Sequence, residues 1–73
     1  MTKTPYPTPR RHYFGRRLLI ALQESGYTVH DAAPLLGMSP ASLHRKVRGQ
    51  SAIYLDELEL AVQLTGKDWE FFA

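Results

Sequence analysis

At 73 residues the chain has room for one domain of four or five short helices, because a chain this size buries only roughly 60% of the surface its unfolded form exposes. It has no cysteine, so neither disulfides nor a thiolate metal site reinforces so small a core, and stability has to come from packing. The net charge is only +2, but residues 1–49 hold eight Lys and Arg against two acids, a net +6, while residues 50–73 hold one against five, a net −4; a chain polarised in this way turns one side toward a polyanion.

The chain opens on MTKTPYPTPRR, with prolines at 5, 7 and 9. Each lacks an N–H and disfavours helix in the residue before it, so residues 1–11 read as an extended, flexible basic arm. From about Tyr13 a helical pattern begins, with Phe14, Leu18, Ala21, Leu22 and Ser25 three and four residues apart and Gly26 suited to the left-handed position after the last turn. Thr28 then offers a hydroxyl to cap a short second helix through Ala32, Ala33, Leu35 and Leu36 to Gly37. Pro34 sits awkwardly inside it, where it removes a backbone hydrogen bond and either kinks the helix or spoils its first turn.

Ser39 followed by Pro40 marks a fresh start: the serine caps free N–H groups, and proline at the first helical position gives up a bond that nothing would have satisfied. The third helix therefore runs from about Pro40 to Arg48, and Gly49 ends it. After the loop GQSAIY a fourth helix is written by Leu58, Ala61, Val62 and Leu64, with Asp56 and Glu57 near its positive end and Gly66 as its stop. The tail KDWEFFA supplies one further turn, whose Trp69, Phe71 and Phe72 either close the core or offer a dimer contact. Residues 12–73 thus form a single domain.

Unrolled at about 100° per residue from Ala41, the third helix puts Arg45 near 40°, Arg48 near −20° and His44 near −60°, with Leu43 and Val47 near 200° and 240° on the opposite side. One face is apolar and the other basic. The basic face is built on small residues at its start (Ser39, Ala41, Ser42), so the helix fits a DNA major groove about 12 Å wide.

The stretch TVHDAAPLLGMSPASLHRKVRG resembles the helix-turn-helix of the Cro and lambda-repressor-like (XRE-type) family of phage and bacterial regulators. The matching features are the small Ala33, Gly37 four residues on at the turn, Ser39 opening the next helix, Leu43 six after the glycine as core anchor, and Gly49 closing it; IYLDELELAVQLTG resembles the family's following helix. The resemblance covers roughly residues 14–66. It implies an all-α bundle of about five short helices that binds double-stranded DNA, with the third helix in the major groove and the start of the second against the backbone. Carried over, Ser39, Pro40, Ala41, His44 and Arg45 fall where the family reads bases, and Ser42 and Arg48 where it grips phosphate. Lys46, three after Leu43 at a family core position, is counted with the backbone contacts, leaving Val47 as second anchor. Val29 stands where the family often has Gln, so Thr28 or His30 substitutes as backbone clamp. Pro40 and Ala41 offer only apolar contact, which leaves Arg45 to carry direct readout. Arg10, Arg11, Arg16 and Arg17 resemble a basic arm that either wraps the duplex or adds non-specific attraction.

Histidines 12, 30 and 44 do not form a metal spacing, and neither a phosphate loop nor a nucleophile elbow is present, so no cofactor, no small-molecule ligand and no catalysis are expected. No apolar run approaches the ~18 residues of a membrane span, and the basic start lacks the apolar stretch of a signal peptide, so a cytoplasmic place in a bacterial cell is expected. The expected function is a sequence-specific transcriptional regulator, a Cro-like repressor, with a homodimer possible on the operator. The alternatives on the same fold are a protein-interaction module, such as an antitoxin or anti-repressor, and an excisionase-like accessory factor.

Overall fold

The computed structural model describes residues 11–72; the proline-rich segment expected as an arm lies outside the described residues apart from Arg11. The described residues form five helices, α1 (Arg11–Glu24), α2 (Val29–Leu35), α3 (Pro40–Val47), α4 (Leu55–Thr65) and α5 (Trp69–Phe72). The all-α fold class read from the sequence is the one observed. Helix α1 begins at Arg11, so that residue is helical and not part of an arm. No helix among the described residues is long and apolar enough to cross a membrane.

Phe14, Leu18, Ala21 and Leu22 of α1 are buried as their spacing requires. Helix α1 is the central element, touching the other four, and α2 packs on α3. The helix ends by the Schellman arrangement, with the Tyr27 N–H reaching back to the Leu22 carbonyl at 2.9 Å. At the turn between α2 and α3 the same device recurs: Gly37 takes φ 77°, and the Met38 N–H bonds the Ala33 carbonyl at 3.0 Å. Pro34 lies inside α2, on its exposed side. The bond it cannot donate would have run to the carbonyl of His30, also an exposed residue, so the loss falls on the solvent side of the helix.

Both expected caps form. Thr28 Oγ1 accepts from the Asp31 N–H at 3.0 Å and Ser39 Oγ from the Ser42 N–H at 3.2 Å. Ser39→Ala should therefore cost about 1 kcal/mol and lower the melting temperature by roughly 4–8 °C, since a domain of 60–100 residues loses about that much per kcal/mol; circular dichroism melts measure it.

The core is closed from both ends of the chain. Ile53, in the loop before α4, is buried, and Leu58 and Ala61 of α4 meet the α1 stripe. The aromatic tail divides: Phe72 is wholly buried, whereas Trp69 keeps 43% of its surface exposed. Ser25 ties the ends of α1 and α4 together through a bond from its hydroxyl to the Thr65 carbonyl, 3.1 Å.

A contact that periodicity does not announce sets the distance between α1 and α3. A Cβ on Gly15 would lie 2.5 Å from the Lys46 carbonyl oxygen and 2.8 Å from that of Val47. Only a residue without a side chain lets α3 come so close to α1.

Candidate nucleic-acid interface

Helix α3 buries Leu43 and Val47 against the core and turns the opposite side to solvent. Of the residues expected to read bases, Ser39, Ala41, His44 and Arg45 are exposed and Pro40 is half-buried. Arg48 is exposed just beyond the helix, as its cap residue, and Ser42 is half-buried. The structure therefore leaves Ser39, Ala41, His44 and Arg45 open to solvent at and along α3, with Pro40 partly covered. The Ser39 oxygen already accepts the Ser42 N–H, so toward a ligand its hydroxyl has chiefly a proton to donate.

At the start of α2, Thr28 and His30 are exposed while Val29 is half-buried. Thr28, His30 and His44 line one open groove of about 400 Å³, with Leu19 and Gln23 of α1 on its far wall. Helix α2 thus presents its first residues beside the middle of α3, the arrangement a backbone clamp requires.

Three expected contacts stand elsewhere. Lys46 is only 7% exposed, and its Nζ donates to both carboxylate oxygens of Glu57 at 2.6 Å. Five residues beyond Ala41 it lies about 140° round the helix, on the apolar side, and long side chains there reach a partner or stay uncharged. Glu57 supplies the partner, itself 7% exposed and also accepting the Tyr54 N–H at 3.0 Å; the ammonium sits 4.7 Å from the Tyr54 ring centroid. Lys46 is consequently engaged inside the protein instead of facing a phosphate.

Arg17 is not part of an arm either. Its Nε donates to the Phe71 carbonyl at 2.6 Å and its guanidinium lies 4.0 Å from the Phe71 ring centroid, fastening α5 to α1. Arg11 starts α1 with its Nε buried and without a hydrogen-bond partner among the described residues. Arg16 alone of the three is exposed, on the side of α1 that faces the end of α3. Arg10 lies outside the described residues.

Internal pairing leaves the surface charge still polarised. Lys46 is neutralised by Glu57, and Lys67 by Glu24 at 2.7 Å. Arg16, Arg45 and Arg48 take part in no ion pair among the described residues. Asp56, Glu59, Asp68 and Glu70 are exposed on α4, α5 and the turn between them.

Sequence reasoning missed Gly15, the Lys46–Glu57 pair and the Arg17–Phe71 contact. Gly15 carried a signal, because glycine inside a helix costs about 1 kcal/mol relative to alanine and so marks a place where something needs the room. Lys46 carried one too, in its angle on the helix. Arg17 carried none, since its partner is a backbone carbonyl 54 residues away.

Two capped helices joined through a left-handed glycine, the second burying one face and showing a cationic face to solvent, define a helix-turn-helix domain held against a first helix. The comparisons agree. Residues 15–48, slightly under half of the chain, match the family model of bacterial regulatory proteins of the Fis family. The matched stretch takes in α1 from Gly15 onward and the whole of α2 and α3. The fold is similar to the crystal structure of the restriction-modification controller protein C.AhdI from Aeromonas hydrophila, with a TM-score of 0.77 and 18% identity over 89% of this chain and 98% of that one. No curated protein sequence matches the chain.

Proposed function

We propose that the chain is a sequence-specific transcriptional regulator of double-stranded DNA, a Cro-like repressor that lays α3 in the major groove and the start of α2 against the backbone. The observation that carries this reading is the α3 face itself: Ser39, Ala41, His44 and Arg45 exposed together, with Arg48 following, on a helix whose other side is anchored in the core. The family match and the fold likeness to a controller protein support the regulatory part of it. Arg45 reads a guanine edge, Ala41 and Pro40 contact a thymine methyl, and Thr28, His30, Ser42 and Arg48 hold phosphates. The mechanism is occupancy of an operator in a bacterial cytoplasm, with neither catalysis nor a cofactor.

The regulator acts as a dimer on DNA, with half-sites about one helical turn apart. Exposed Leu55 and Leu60 on α4 and Trp69 on α5 supply apolar area for the second copy. With about 4–8 phosphate contacts, log affinity falls against log salt with a slope of roughly −4 to −7.

Selection from a random duplex pool at two salt concentrations tests the reading, with wild type beside Arg45→Ala. An enriched palindromic motif lost in the variant is the expected result, with the affinity for that motif lowered by about 1–3 kcal/mol. Equal, weak and salt-labile binding by both proteins without enrichment would sink it. A module that binds a protein partner through the acidic half would instead keep that partner after Arg45→Glu and Arg48→Glu.

A further inference from the structure

We propose that the open cleft between the first half of α1 and the end of α3 holds one phosphate of the DNA backbone, gripped by Arg16 from one wall and Arg48 from the other. This rests on the DNA-binding reading above and extends it from α3 to a first helix whose arginines the sequence had assigned to a flexible arm.

The cleft measures about 450 Å³ and is lined by His12, Tyr13, Arg16, Leu19, Val47 and Arg48. Its lining holds two guanidinium groups and an imidazole and no carboxylate. Both arginines are exposed and free of ion pairs among the described residues, so neither has to leave a partner in order to bind an anion. Val47 and Leu19 give the cleft an apolar floor, which lowers the local dielectric and strengthens an arginine–phosphate contact above one made in open water.

The two walls are held at a fixed spacing. Gly15, next to Arg16, sits against the Lys46 and Val47 carbonyls, next to Arg48. The ring of His12 packs so closely on Gly49 that a Cβ there would lie 2.3 Å from its Nδ1. Each arginine therefore springs from backbone that is pinned to the other's helix, and little ordering is left to be done when the anion arrives. Arg48 also lies only about 60° round α3 from Arg45, so a strand whose bases meet Arg45 carries its backbone past the mouth of the cleft. That continuity with the reading face favours a phosphodiester over an acidic peptide.

Fluorescence anisotropy titrations across a salt series separate the claims, using the selected duplex and a scrambled one with wild type, Arg16→Ala, Arg48→Ala and Arg45→Ala. Arg16→Ala should weaken both duplexes equally, by roughly five- to tenfold, and reduce the salt slope by about 1, whereas Arg45→Ala weakens mainly the selected duplex. A methylphosphonate scan of the flanks should find one position whose neutralisation weakens wild type but not Arg16→Ala. The melting temperature of Arg16→Ala, an exposed position, should equal that of wild type. If Arg16→Ala binds both duplexes like wild type with an unchanged slope while Arg45→Ala loses discrimination, the cleft proposal is overturned and the DNA reading stands. Failure of wild type to bind either duplex overturns both.

Discussion

Lys46→Met should destabilise the protein by about 3–5 kcal/mol, because it takes the ammonium away from the buried Glu57 carboxylate. Lys46 and Glu57 are each 7% exposed and their charged groups lie 2.6 Å apart, so solvent compensates little for the lost contact. A domain of 73 residues has a total stability of about 4–11 kcal/mol at the usual 0.05–0.15 kcal/mol per residue. The single variant should thus melt more than roughly 12 °C below wild type, and at the lower end of that stability range the loss unfolds the domain. The double variant Lys46→Met with Glu57→Leu should recover most of the deficit, since replacing both charges by apolar groups removes the desolvation cost of each. It should fall short by about 1 kcal/mol, the Tyr54 N–H having lost its acceptor. Urea unfolding of the three proteins tests this, and a Lys46→Met chain as stable as wild type would mean that the pair does not form in solution.

Gly15→Ala should lose stability although alanine is the better helix former by about 1 kcal/mol. The added methyl would stand 2.5 Å and 2.8 Å from two backbone carbonyl oxygens of α3, which cannot swing aside as a side chain can. Relief requires α1 and α3 to separate, and overpacking of this kind costs about 1–3 kcal/mol. On the proposed reading, in which α3 contacts the bases, the same shift should weaken the selected duplex more than a scrambled one. A thermal melt beside paired DNA titrations reads both effects; an unchanged or raised melting temperature would show that the crossing has slack.

The helix order, the caps at Thr28 and Ser39, the glycine turn at 37 and the apolar and basic sides of α3 were all legible in the sequence, because each depends on residues within one or two turns of one another. A hydroxyl three residues before a free N–H, or an arginine opposite a leucine on a helix, needs no knowledge of the rest of the chain. The exposure of Ser39, Ala41, His44 and Arg45 on α3 was legible for the same reason. The Fis-family match and the Cro-like resemblance meet on this local pattern, which belongs to the helix-turn-helix at large.

Where the remaining cations go was decided only by the tertiary structure. Arg16 and Arg17 are neighbours in a basic run, and sequence offers no reason to treat them differently. A rotation of about 100° between them sends Arg17 to the Phe71 carbonyl and leaves Arg16 on the α3 side. Lys46 stands beside Arg45 in the same way, yet α4 brings Glu57 against it and takes it out of the surface charge. Charge content is a property of composition, but which charges face a partner depends on long-range packing: a buried ammonium needs a carboxylate, and only the fold determines whether one is within reach.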